Sequence, residues 1–115
     1  MLFRSKLKVA TLELGSAWVP ELHRRLRVAY GKTPQLFRRD PVESFREHVW
    51  VAPFYEDRIS VLRDIHGADR ILLGSDWPHP EGLATPGSWV GDFLSLGTDD
   101  MRTALRDNQL ELCGY

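Results

Sequence analysis

The sequence predicts an α/β fold built on parallel strands, and three observations predict it. Short apolar runs near 7–14, 48–53 and 70–75 alternate with stretches whose apolar residues recur at helical spacing. Each run is followed by a polar turn and then an amphipathic helix, the order that gives a parallel sheet with right-handed crossovers. The third run, Arg70-Ile-Leu-Leu-Gly-Ser75, ends abruptly in a carboxylate, Asp76, with Trp77, Pro78, His79, Pro80 and Glu81 behind it. A run this short and apolar reads as a strand buried on both faces. A carboxylate at the carboxyl end of such a strand is where an α/β barrel keeps its chemistry.

Taken in order, the first strand is predicted at about 7–14, rich in Val, Thr and Leu. Gly15 and Ser16 break it, and Pro20 suits the first turn of a helix reaching about Tyr30. Leu22, Leu26 and Ala29 share one face of that helix, leaving the arginines outside, and Gly31 is expected to stop it. Asp40-Pro41-Val42-Glu43 reads as an N-cap, a first-turn proline and a capping-box acid opening a short helix. The second strand runs through Val49, Trp50 and Val51, and its helix, about 57–65, ends at His66-Gly67 on a glycine C-cap. Beyond Asp76 a short helix is expected at about 88–96. Thr98-Asp99-Asp100 then caps the last helix, which runs to about Leu112 before Gly114.

Nothing divides the 115 residues into two domains. Three strand–helix units cannot close a barrel, which needs eight in roughly 250 residues. The expectation for 1–115 is therefore part of a barrel, with two open sheet edges.

Composition narrows the function classes. Hydrophobic residues make up 43% and charged ones 27%, with a net charge of -1, an ordinary globular balance that supplies no field for nucleic acid or an anionic membrane. Arg24, Arg25 and Arg27, like Arg38 and Arg39, form clusters short enough to be solvated faces. Cys113 is the only cysteine, so no internal disulfide forms and a cytoplasmic setting is the default; the thiol is expected to be buried or half-buried and inert. No apolar stretch is long enough for a bilayer, and the first residues carry no signal-peptide core.

The stretches 7–20, Arg46-Glu-His-Val-Trp-Val51, 69–82 and Asp107-Asn108 together resemble the amidohydrolase-related family whose namesake decarboxylates aminocarboxymuconate semialdehyde. The resemblance covers nearly the whole chain, and Gly-Ser-Asp76-Trp-Pro-His79 is its most specific segment. It implies that the chain is the C-terminal portion of a TIM-type (β/α)8 barrel of the metal-dependent hydrolase kind, its strands being the sixth to the eighth. It implies that Asp76 binds a catalytic divalent metal, zinc in this family, and handles the proton of a metal-bound water. An ionised carboxylate is a good ligand for such an ion, and a bound metal brings the pKa of its water toward neutrality. The alternative for Asp76 is an acid that merely starts a turn.

The neighbours of Asp76 carry weaker signals. His79, three residues on, can contact substrate, orient Asp76, or serve with its flanking prolines as a stiff loop element. Trp77 reads as a rim aromatic, packing as a lid or stacking on substrate. Glu13 ends the first strand where a pocket would open, with Trp18 shortly after as a second candidate substrate contact. Many relatives have a histidine near that place. Glu13 is then either an acid–base or positioning group, or an ion-pair partner of a nearby arginine.

The remaining histidines read as structural. His48 opens the second strand at the end away from a catalytic face, His66 sits at a helix C-terminus that suits an imidazolium, and His23 falls on a polar helix face. The sequence has no His-x-His and no His-Glu-x-x-His. The family pattern draws a His-x-His from the first barrel strand and another His from the fifth. One carboxylate holds zinc poorly where three ligands are normal, so metal binding by this chain alone is expected to be weak or nil.

Two functions are carried forward. One is the C-terminal segment of a metal-dependent hydrolase or non-oxidative decarboxylase acting on a small carboxylated or amide-like molecule. The other is a non-catalytic half-barrel that works by association, with itself or with an N-terminal partner.

Overall fold

Apolar, β-branched triplets build the sheet. β1 (Val9–Thr11) and β2 (Val49–Val51) pair in parallel, in the register Val9–Val49, Ala10–Trp50 and Thr11–Val51. Val51 makes a further parallel bridge to Ile71. The computed structural model describes residues 6–54, 58–74, 78–80, 82, 84–89, 91 and 94–115. The expected parallel strands are present, shorter than predicted. The third is reduced to the bridge at Ile71, tied to β2 by Leu72 N–H donating to the Val51 carbonyl at 2.9 Å. Among the described residues no further strand pairs with the far side of Ile71.

The two-residue period of the strands splits the core into two layers. Val9, Val49, Val51, Ile71 and Leu73 face the helices and pack with Val19, Ile59 and Leu62. Ala10, Trp50, Ala52 and Leu72 point to the opposite face, where Leu112 joins them. Trp50, Val51 and Ile71 are at most 1% exposed, so the reading of strands buried on both faces holds.

Helices α1 (Val19–Lys32), α2 (Pro41–His48) and α3 (Ile59–His66) supply the outer layer. α1 runs through Gly31 instead of stopping there. Thr33 closes it two residues later, its backbone N–H and its Oγ1 both donating to the Ala29 carbonyl. Those bonds offset the roughly 1 kcal/mol that a helical glycine costs. Asp40 caps α2 as expected, its carboxylate accepting from Val42 N–H at 2.8 Å. Gly67 ends α3 at φ 97°, and a Cβ there would meet Asp69 Oδ1 at 2.7 Å. Only glycine fits that turn without strain.

Across the 88–96 expected as one helix, the described residues include the 3₁₀ turns Pro86–Trp89 and Leu94–Leu96 with Gly91 helical between them, and residues 90, 92 and 93 lie outside the described residues. The last helix is capped by Gly97 rather than Thr98 and is not uniform. α4 (Thr98–Arg102) passes into a π turn, Thr103–Asp107, and then into α5 (Asn108–Cys113), which Gly114 ends at φ 87°. Cys113 is exposed, against the expectation of a covered thiol, because the final turn of α5 leaves it on the outer side. No helix among the described residues is long and apolar enough to cross a membrane.

Candidate functional site

Parallel strands all end at one side, so their following loops converge there. The carboxyl ends of β1, β2 and the Ile71 strand open on a concavity of about 170 Å³, lined by Leu12, Glu13, Ala52, Pro53, Phe54 and Gly74. Its wall is apolar apart from one carboxylate. That carboxylate is Glu13, exposed and held at φ 59°, the single non-glycine at positive φ among the described residues. A left-handed backbone costs a residue with a Cβ about 1–2 kcal/mol, and such strain gathers at functional sites. Among the described residues Glu13 has no ion-pair partner, which leaves the arginine-pairing reading without support.

Asp76 and Trp77 lie outside the described residues. Gly74, two positions before Asp76, lines the concavity. His79 is exposed, and its carbonyl accepts from Gly82 N–H at 2.9 Å. Trp18 is not among the residues lining the concavity. Its indole N–H donates to the Gly15 carbonyl at 2.9 Å, and its ring meets Phe45 edge-on at 6.0 Å on the helical side.

Two histidines read as polar are core residues. His23 is 2% exposed and His66 fully buried, their rings 5.8 Å apart with the Phe45 ring 5.5 and 5.2 Å away. His66 Nε2 lies 2.8 Å from the Val49 carbonyl, which can only accept, so that nitrogen carries the proton. Burial pushes the His66 pKa down to about 4, opposed by that hydrogen bond and reinforced by His23, Arg46 and Arg70. Burial, with Arg27 and Arg46, lowers His23 as well. Desolvation of the charged ring therefore outweighs the helix dipole that suggested an imidazolium at His66. The spacing held the signal: His23 is four residues from Val19, and His66 four from Leu62, on the buried stripes of α1 and α3. His48 behaves as read, its Nδ1 3.0 Å from the Leu7 carbonyl at the far end of the strands.

The geometry is that of neighbouring strand–helix units in a barrel wall, with a concavity at the carboxyl ends of the strands. The amidohydrolase family model matches residues 5–112. The chain belongs to the amidohydrolase family. It is similar in structure to an amidohydrolase from Mycobacterium avium subsp. paratuberculosis K-10, with a TM-score of 0.91 and 47% identity over 95% of this chain. The match covers 28% of that protein, so the amidohydrolase chain described here folds as part of a barrel. Within it, Pro53 and Phe54 are mouth residues to which the sequence reading gave no functional role. Their place just past the carboxyl end of β2 was the available signal.

Amidohydrolases generally use divalent metals. Among the described residues no three His, Cys, Asp or Glu side chains converge. Those residues do not fit a metal ion by themselves, where three protein ligands are the norm.

Proposed function

We propose that this chain is the C-terminal portion of a metal-dependent amidohydrolase-type enzyme, resembling the aminocarboxymuconate-semialdehyde-decarboxylase group, its strands being the sixth to the eighth of the barrel. The observation that carries this reading is the concavity at the carboxyl ends of three parallel strands, with Gly74 on its wall just before Ser75-Asp76. In the complete barrel Asp76 contributes one carboxylate to the metal site, and histidines supplied by other strands contribute the rest. Glu13 faces the same mouth and acts on substrate, accepting a hydrogen bond or holding a cationic or N–H group. The apolar wall of Pro53, Phe54 and Leu12 excludes water from a small carboxylated or amide-like substrate. Hydrolysis and non-oxidative decarboxylation both suit such a mouth. The single thiol fits a cytoplasmic setting.

A specific observation favours the associative reading alongside it. Leu7, Leu12 and Leu14, which flank β1, are 49–62% exposed. These side chains suit cover by the N-terminal part of a barrel, supplied in the same polypeptide or by a partner.

Reading the coding DNA upstream of Met1 in every frame tests the proposal. An apolar strand followed by His-x-His supports it, and its absence from every frame counts against it. Equilibrium dialysis of the isolated chain against Zn2+ is expected to show weak binding and no turnover; stoichiometric tight binding contradicts the division of ligands.

A further inference from the structure

Asn108 is 1% exposed, and its carboxamide nitrogen donates to the carbonyls of both Ala68 and Ile71 at 2.7 Å. A carboxamide has two N–H donors, so both are spent on the entry to the third strand. The π turn presents it there, with Asn108 N–H bonded to the Thr103 carbonyl five residues back. π turns are uncommon and often mark functional positions.

What Asn108 holds is otherwise lightly tied. The Ile71 strand bonds to β2 through the Leu72 N–H. In a parallel strand the N–H and C=O of one residue face the same neighbour and those of the next face the opposite side. The Ile71 carbonyl therefore faces away from β2, and Asn108 occupies it as a further strand would. Arg70, the residue before, is fixed by its side chain, with the guanidinium 4.4 Å over Trp50 and Nε donating to the Glu47 carbonyl. Three residues after Ile71 the strand reaches the concavity at Gly74, roughly 10 Å on at extended spacing.

We propose that Asn108 is a positioning residue for the mouth. Through the Ala68 and Ile71 carbonyls it sets the register in which the strand delivers Gly74 to the concavity. The link to catalysis rests on the function proposed above, whereas the effect on strand geometry stands without it.

Amide hydrogen exchange on the full chain tests this. In Asn108→Ala the Leu72 amide is expected to exchange at least tenfold faster relative to the Ala52 amide, which bonds to the Thr11 carbonyl on the far side of β2. Residual dipolar couplings at Leu73 and Gly74 should change with it. Asn108→Ser, which retains one donor, is expected to give an intermediate effect and serves where the alanine variant does not fold. Unchanged Leu72 protection, or equal acceleration at Leu72 and Ala52, overturns the proposal, since a merely stabilising side chain would act on both. Asp76→Asn should leave Leu72 protection as in the wild type. Full activity of that variant in an assembled barrel would refute the proposed function while leaving the exchange result to judge Asn108.

Discussion

A neutral imidazole at His66 links the packing of α1 on α3 to pH. Its folded pKa of about 4 lies below the usual histidine value, so the unfolded chain binds a proton first as pH falls. Stability from this group is whole above about pH 6.5 and is lost as pH drops toward 4, on the order of 3 kcal/mol in all. Urea unfolding at pH 7.5 and pH 5 should show the loss, and His66→Gln, which keeps a donor for the Val49 carbonyl, should flatten it. Glu13 makes the opposite kind of prediction. Glycine relieves its positive φ, so Glu13→Gly should match or exceed the wild type in thermal unfolding. A drop of several degrees would show that the side chain is kept for stability and not for the mouth. Glu13 was legible as the end of an apolar run. The two buried histidines were not, because residue type suggested polarity while their spacing placed them with valine and leucine.

Helix boundaries were legible wherever a cap makes a local bond. Asp40 before Pro41 is such a case, and Asp40→Ala should cost about 1 kcal/mol by removing the acceptor for Val42 N–H, measurable in chemical denaturation. Boundaries set by tertiary packing were not legible. Gly31 is the exception to the local rule: it reads as a stop, yet Thr33 two residues on makes the closing bonds to Ala29. The apolar run at 70–75 reads as a full strand, yet ladder length depends on a neighbour that its own residues do not specify. The π turn at Thr103–Asp107 leaves no mark in apolar periodicity, because one extra residue per turn is hidden by the side chains that tolerate it.

For the whole molecule, strand–helix alternation together with the family resemblance was enough to read part of a barrel. The chain spans 28% of the length of the matched amidohydrolase structure. The exposed leucines beside β1 predict self-association. Size-exclusion chromatography should show a shift to larger species between low and high micromolar concentration. A concentration-independent monomer would remove the associative reading. The central claim is that the carboxylate of Asp76 shares the mouth with Glu13, and Mn2+ titration followed in 1H–15N spectra tests it most directly. Weakly bound Mn2+ should selectively broaden the amides of Leu12, Glu13, Phe54 and Gly74, and Asp76→Asn should abolish the effect. Broadening centred elsewhere, or unchanged in Asp76→Asn, would contradict it.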